Sequence, residues 1–226
     1  MLMDQRMDGC LVLSRLYDEL AALLRQTRMP IALVNADTTL NVPVCVADEL
    51  DGSVQITQHL LDLGHERIAF FLGNQPPHYS VTQRVGGYEQ TMARAGKTQH
   101  VCVVTEKLDE FAAVAAMDPA RRPTAIIVYT HFAAITLLRL FWESGIRVPQ
   151  DISVATFSNS YPVAEVIPPL TTVALPTEEM GRTAAEMVLE QIRTGGEAPP
   201  RRLVLSEKLI VRKSTGPVGA TEAGGL

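Results

Sequence analysis

An α/β fold with parallel sheets is predicted from three features of the sequence. Short apolar runs alternate along the chain with segments whose apolar residues recur at helical spacing, which is typical of a parallel sheet covered by helices. The apolar runs lack a polar side of their own, as expected for strands buried on both faces. The strands are also too numerous for one compact sheet in 226 residues, which predicts two lobes.

Each element follows from its local pattern. The predicted strands are 10–13, 31–35, 42–46, 67–72, 101–104, 124–128, 152–157 and 202–211. The predicted helices are 16–27, a segment from Asp48 or Asp51 to Gly64, 82–95, 108–117, 132–144 and 177–193. Gly64 suits a helix end because glycine adopts the left-handed conformation of that position without steric cost. The stretch from Ser214 onward is rich in Gly, Ala and Thr, which predicts a disordered tail.

Composition and charge exclude several classes of protein. Hydrophobic residues make up 46% of the chain and charged residues 20%, as in ordinary globular proteins. A net charge of −5 and the lack of any basic run argue against a nucleic-acid-binding surface. No apolar run approaches the length of a membrane span, so no membrane partner is expected. The segment MLMDQRMDG is not a signal peptide, which predicts a cytoplasmic location.

No motif in the sequence specifies catalysis, a metal or a cofactor. P-loop, GxGxxG, HExxH and GxSxG patterns are all absent. The histidines show no pairing at ligand spacing: His59, His65, His78, His100 and His131. The cysteines are odd in number and lack CxxC spacing: Cys10, Cys45 and Cys102. We therefore predict that the chain is not an enzyme and binds neither a metal nor a cofactor.

Several segments in the same order resemble the LacI/GalR family of bacterial transcription regulators. They are RVGGYEQTMARAG, RRPTAIIVYT, GIRVPQDISVATF, PPLTTVALPTEEMGRTAAEMVL and LIVRKST. The match is to the effector-binding core of that family and covers roughly residues 7–215. The resemblance implies two Rossmann-like lobes of periplasmic-binding-protein type I around a cleft that closes on a small ligand.

The resemblance also implies a division of the chain. Residues 1–67 plus about 171–197 would form a partial N-terminal lobe, 68–158 plus about 201–213 the C-terminal lobe, 159–170 a crossover, and 214–226 the disordered tail. His65, between Glu66 and the helix-ending Gly64, could by chemistry alone be a general base or a metal ligand. Under the resemblance it is a structural residue, where a helix of the N-terminal lobe crosses into the first strand of the C-terminal lobe.

Arg84 is the first candidate ligand-binding residue. It matches the arginine of the family motif R-x-x-G-[YFW], which clamps a sugar hydroxyl or a carboxylate, and a planar guanidinium suits such work. A surface salt bridge is the alternative role. Asn35 and Asp48 follow predicted strands and correspond to cleft positions in the family. Capping a turn or a helix would explain each of them equally well.

Two departures from the family pattern concern the expected ligand. Thr130-His131 stands where the family usually has Asn-Asp, and Ser158 stands where a Gly-Phe-Asp segment usually ends. The change to Ser158 removes a charged acceptor, and a hydrogen bond to a charged group contributes on the order of 1.5–3 kcal/mol. The resemblance therefore implies an atypical ligand, a weak one, or none. His131 could donate to a ligand or simply face solvent at a helix start.

The family begins with a helix-turn-helix headpiece, a hinge and two βα units, which we expect to be missing here. Strand 10–13 should then have an open edge. The predicted function is binding of a small-molecule effector, such as a sugar or related polar metabolite, and homodimerisation within a LacI/GalR-type regulator. DNA would be bound only through the headpiece. The alternative is a stand-alone sugar- or solute-binding protein of the periplasmic type.

Overall fold

The structure is a computed structural model, and two compact units are resolved within it. It describes residues 7–13, 18–36, 38, 40–73, 75, 78–98, 100–102 and 109–219. Unit 1 comprises the described residues of Met1–Asp48, Pro77–Ser80 and Pro176–Ser206. Unit 2 comprises those of Glu49–Pro76, Val81–Leu175 and Glu207–Leu226. The predicted α/β class and two-lobe organisation are confirmed.

Strands and helices alternate along most of the chain. The elements are β1 (Cys10–Val12), α1 (Asp18–Gln26), β2 (Ile31–Val34), β3 (Val44–Ala47), α2 (Glu49–Asp62), β4 (Ile68–Phe71), α3 (Tyr79–Arg94), β5 (His100–Cys102), α4 (Asp109–Ala116), β6 (Ala125–Val128), α5 (His131–Glu143), β7 (Ser153–Phe157), β8 (Thr171–Ala174), α6 (Thr177–Arg193), β9 (Arg202–Leu205) and β10 (Lys208–Ile210). The predicted bounds mostly agree within three residues. β8 was not predicted as a strand.

Unit 1 is a parallel sheet in the order β1-β2-β3-β9. Helix α6 packs against β1, β2 and β3. Leu24 of α1 joins Ile31, Leu33, Val44 and Val46 in one buried cluster, so alternate strand residues supply this part of the core. Within the described residues β1 pairs with β2 alone, which agrees with the predicted open edge.

Unit 2 is a sheet in the order β10-β8-β7-β6-β4-β5, parallel except for the antiparallel pairing of β10 with β8. Strands β4, β6 and β7 are buried along their whole lengths, as expected for strands that are covered on both faces. Phe70 of β4 packs with Tyr88 of α3 in one core cluster. Its neighbour Phe71 belongs to a second cluster with Phe141 of α5. The sheet therefore separates two apolar layers.

The first crossover between the units was predicted wrongly. It was expected at 67, but the chain passes from unit 1 to unit 2 between Asp48 and Glu49. Helix α2 contacts β6, β8 and β10, all in the sheet of unit 2. Consecutive secondary-structure elements are usually neighbours in space. Here the turn at Gly64 joins α2 to β4 within unit 2.

The later crossovers were also placed wrongly. The segment 159–170 lies wholly within unit 2, and beyond it the chain passes to unit 1 after β8, between Leu175 and Pro176. The single strand predicted over 202–211 is two strands: β9 pairs with β3 in unit 1, and β10 pairs with β8 in unit 2. Local sequence could not separate them because both halves are extended and apolar.

The predicted tail is ordered at its start. Ser214 is completely buried, and its Oγ accepts from the amide of Thr171 at 2.8 Å and donates to the carbonyl oxygen of Val154 at 2.6 Å. The amide of Val218 donates to the carbonyl oxygen of Leu63 at 3.1 Å. Disorder predicted from residue 214 is therefore wrong for 214–219, and residues 220–226 lie outside the described residues.

Candidate functional site

Four of the predicted ligand-binding residues lie near the carboxyl ends of β6 and β7 in unit 2. Thr130 and His131 follow β6 at the start of α5, and Ser158 directly follows β7. Arg84, on α3, reaches the same place because its guanidinium carbon lies 4.2 Å from the ring centre of Phe157, the last residue of β7. Ligands of open α/β sheets bind at this end of the strands.

Arg84 is buried and held by several groups. Its side chain is 7% exposed and forms a salt bridge with Glu49, whose side chain is fully buried; Nε and Oε2 are 2.5 Å apart. Nη1 donates to the carbonyl oxygen of Tyr129 at 3.2 Å, and the guanidinium also lies over the Tyr129 ring at 4.8 Å. Nη2 donates to no acceptor among the described residues. The alternative role as a surface salt bridge is therefore wrong, because this ion pair is internal.

Thr130 and His131 form the start of α5. Thr130 is the N-cap of the helix, with its Oγ1 accepting from the amide of Ala133 at 3.3 Å. The His131 ring lies 4.1 Å from the Phe132 ring, between centres, and burial lowers the pKa of His131. Both side chains are partly exposed at the end of β6. They therefore contribute to the start of α5 and are also accessible to solvent.

Ser158 has a left-handed backbone, with φ of 76°. This conformation is uncommon for residues other than glycine and marks a sharp change of direction at the end of β7. Its carbonyl oxygen accepts from Thr172 Oγ1 at 2.8 Å, and its Oγ lies 2.8 Å from Ser160 Oγ. These bonds position an exposed pair of hydroxyl groups at the same strand end.

Asn35 and Asp48 lie in unit 1, at the ends of β2 and β3. Asn35 has φ of 52°, its Oδ1 accepts from the amide of Ala47 at 3.4 Å, and its Nδ2 donates to Ser80 Oγ at 3.4 Å. Asp48 immediately precedes α2, and its amide donates to the carbonyl oxygen of Leu205 at 2.8 Å. The contacts of Asn35 are those of a turn-stabilising residue, and its role toward a ligand stays a prediction.

His65 is a structural residue, as predicted, although it does not lie at a crossover. It is 2% exposed, and Nδ1 lies 3.0 Å from Thr124 Oγ1. Nε2 lies 3.0 Å from both Ser153 Oγ and the carbonyl oxygen of Gly216. Burial lowers the pKa of His65. A neutral imidazole that is fully engaged in this way has no position left for a substrate.

Glu49 is the residue that the sequence argument missed. It is completely buried in the first turn of α2. The local sequence gives no sign of this burial, because acidic residues are also common in the first turn of surface helices. Its significance comes from Arg84, 35 residues further along the chain. A spacing of that length is invisible to local motifs, and only the packing of α2 against α3 brings the two side chains together.

The described residues form neither a metal-binding cluster nor a membrane-spanning helix. In that part of the chain no group of three or more His, Cys, Asp or Glu side chains could hold a metal ion. None of the helices so described combines the length and the apolar character needed to cross a membrane.

Comparison with known proteins gives the family. Residues 57–215 match the family model of the periplasmic binding protein-like domain. A LacI family transcriptional regulator from Mycobacterium smegmatis has a solved structure that is 31% identical; the chain aligns with a TM-score of 0.80 over 96% of its own length and 81% of that chain. The chain belongs to the LacI family. Its two sheets are those of the periplasmic-binding-protein-like domain of LacI family regulators.

Named transcription regulators are similar over most of this chain. The transcriptional regulator CelR of Thermobifida fusca is 34% identical over 221 residues, 93% of this chain and 64% of that protein. The repressor PurR of Photobacterium profundum is 29% identical over 95% of this chain and 66% of its own length. A solved CelR–cellobiose complex is 30% identical with a TM-score of 0.79, over 93% of this chain and 67% of that one. The chain thus spans about two thirds of the length of these proteins.

Proposed function

We propose that the chain is the effector-binding and dimerisation domain of a LacI family transcription regulator, and that it binds its effector without chemical conversion. The observation that carries this proposal is the position of Arg84 over the rings of Tyr129 and Phe157, the residues that directly precede Thr130 and Ser158. Donors and hydroxyls from α3, α5 and the end of β7 are gathered at the strand end where α/β sheets bind ligands. The relatives, which are transcription regulators, support a binding role.

The effector we propose is a sugar or related polar metabolite. Hydroxyls of Thr130 and Ser158 and a guanidinium N–H of Arg84 match the alternating donors and acceptors of a polyol. CelR, whose complex contains cellobiose, supports a sugar. The oxygens offered by Thr130 and Ser158 are neutral hydroxyls, so we expect moderate affinity.

The test is a thermal-shift screen of sugars, polyols and nucleobases, followed by calorimetric titration. A ligand present at 100 times its Kd stabilises the fold by about 2.7 kcal/mol. Arg84→Lys keeps the charge against Glu49 but loses the planar fork, and we expect it to weaken a confirmed ligand at least about tenfold. Arg201→Lys is the matched control, because Arg201 pairs with Glu190 on the exposed surface of unit 1. Equal affinity of the Arg84→Lys and Arg201→Lys variants for the ligand would show that Arg84 does not bind it.

We further propose that the chain forms a homodimer through the face of α5 that carries Trp142. Trp142 is 81% exposed and Ile167 is 93% exposed, and both line a groove of about 490 Å³. Arg139 and Glu143 flank Trp142 on the same helix, so a copy packed antiparallel would place opposite charges together. Exposed apolar side chains that lie together often mark protein–protein interfaces.

Sedimentation of the purified chain tests the dimer. Trp142→Ala should weaken association, whereas Val211→Ala, which removes another exposed apolar side chain of unit 2, should leave it unchanged. A monomer at micromolar concentration for the unaltered chain would contradict the dimer proposal without touching the effector site.

We infer that recognition of DNA belongs to a headpiece outside these residues, and that the regulator works in the bacterial cytoplasm, where its operator lies. The net charge of −5 supports this, because phosphate contacts need clustered cations. A mobility-shift assay with this chain should show no sequence-specific complex at physiological salt. A stand-alone solute-binding protein is the alternative, favoured by the periplasmic-binding-protein-like family model. If the chain were such a protein, deletion of its gene would leave transcription of other genes unchanged.

A further inference from the structure

Glu49 and Arg84 together define the electrostatic character of the strand end described above. Both side chains belong to unit 2, and the Glu49 carboxylate is fully buried against Nε of Arg84. Glu49 does not reach solvent, so a ligand would meet the arginine and not the carboxylate. A buried countercharge close to a guanidinium cancels most of the attraction that the cation would exert on an anion.

Two of the three nitrogens of Arg84 are already engaged. Nε donates to Glu49, and Nη1 donates to the carbonyl oxygen of Tyr129. Carboxylates and phosphates bind arginine best through two parallel N–H groups. Among the described residues only Nη2 has no acceptor at all, so its N–H groups can donate to hydroxyl oxygens, whereas a bidentate anion needs parallel N–H groups from two nitrogens.

The neighbouring side chains that the structure describes do not offer an anion a cation with a free planar fork. Thr130 and Ser158 contribute neutral hydroxyls, and burial lowers the pKa of His131, which favours its neutral form. Asp51, the other carboxylate in the first turn of α2, accepts from Gln55 at 2.6 Å. Arg212 donates to Asn159 Oδ1 on the loop after β7 and to the carbonyl oxygen of Leu170, so its planar fork is already used.

We propose that Glu49 is the positioning residue that sets the charge preference of this site, so that the site favours neutral polyhydroxyl ligands over sugar phosphates and sugar acids. The inference rests on the proposed function, because it presumes that Arg84 contacts the effector. Glu49 itself acts through Arg84: it orients the guanidinium and compensates its charge. Specificity of this kind arises from what the site repels as well as from what it binds.

Glu49→Gln is the variant that tests the proposal. The amide keeps the size of the side chain and an oxygen acceptor for Nε, but it leaves the buried guanidinium without a countercharge. Binding of three probes is compared by calorimetry at constant ionic strength: cellobiose, cellobionate and inorganic sulfate. We expect the affinity for sulfate and cellobionate, relative to cellobiose, to rise about tenfold or more in the variant. Glu190→Gln, at the exposed pair with Arg201, is the matched control and should change no ratio.

The outcomes separate the two proposals. If Arg84→Lys weakens sugar binding but Glu49→Gln leaves the ratio of anionic to neutral affinity unchanged, the role of Glu49 is wrong and the site stands. If Arg84→Lys has no effect on sugar binding, the site itself is wrong. Should Glu49→Gln fail to fold, Glu49→Asp keeps the charge and must keep the preference for cellobiose. A preference of the unaltered protein for cellobionate or sulfate over cellobiose would overturn the inference directly.

Discussion

His65 Nε2 lies 3.0 Å from the carbonyl oxygen of Gly216, a residue 151 positions later in the chain. A carbonyl oxygen only accepts, so Nε2 carries the proton and Nδ1 can accept from the Thr124 hydroxyl, 3.0 Å away. Ser153 Oγ lies 3.0 Å from the same Nε2. One buried ring therefore joins the turn after α2 to the starts of β6 and β7 and to the C-terminal segment.

Replacing His65 by alanine is expected to lower the free energy of unfolding by about 2–4 kcal/mol, because buried polar groups would lose their partners. Urea denaturation measures the change. His131→Ala, at a partly exposed ring at the start of α5, is the control and should alter stability by about 0.5 kcal/mol or less. A loss in His65→Ala no larger than in this control would contradict the structural role.

Stability should fall as the pH decreases through about 6.5. Burial lowers the pKa of His65 and of His59 from 6.5, the effect on His59 being opposed by Asp62. The unfolded chain then binds protons at higher pH than the folded chain, so the stabilisation is complete above 6.5 and is lost toward the folded pKa values. The lowered pKa values of Glu66 and Asp151 act only below about 4.5.

Thermal unfolding at a series of pH values measures this dependence. His65→Gln, which cannot be protonated, should show a flatter profile between neutral pH and the folded pKa values than the unaltered protein. Parallel profiles for the two proteins would mean that His65 does not titrate in this range.

The adjacent glycines of the RVGGYE segment should respond in opposite ways to alanine. A Cβ on Gly87 would lie 2.6 Å from the carbonyl oxygen of Leu50 and 2.8 Å from Ser53 Cβ, so α3 could not approach α2 as closely. We expect Gly87→Ala to cost about 1–3 kcal/mol through overpacking. A Cβ on Gly86 meets nothing within 4 Å, and Gly86→Ala should stabilise the helix by up to about 1 kcal/mol. Differential scanning calorimetry of the two variants would measure these changes in stability. Equal effects of Gly86→Ala and Gly87→Ala would contradict the close approach of α3 to α2 at Gly87.

Ser214→Ala should destabilise unit 2 by about 1–3 kcal/mol, because the buried amide of Thr171 and the carbonyl oxygen of Val154 both lose their partner. Thr136→Ala serves as the control, because the Thr136 hydroxyl donates to the carbonyl oxygen of Phe132, one turn earlier on the exposed side of α5. Hydrogen exchange at the amide of Thr171 gives a local readout. Unchanged protection there would show that Ser214 does not hold the C-terminal segment in place.

Much of the fold could be predicted because helices and buried strands follow from local pattern. The helix over 177–193 was predicted to the residue, since its apolar positions repeat at helical spacing. Strand β8 was missed because its TTVA sequence is short and follows two prolines. For the site, the motif around Arg84 was visible in the sequence, but its partner Glu49 was not, because the pair depends on how α2 meets α3.

The sequence alone determined the α/β class, the element order and the family, because these depend on residue spacing within segments of about 10–20 residues. Only the tertiary structure decided which unit each extended segment joins. Residues 202–211 show the reason most clearly: β9 and β10 are equally extended, yet β9 pairs with β3 and β10 with β8. Strand pairing depends on hydrogen-bonding partners distant in the chain, and local pattern carries no information about them. The burial of Glu49 against Arg84 was decided in the same way.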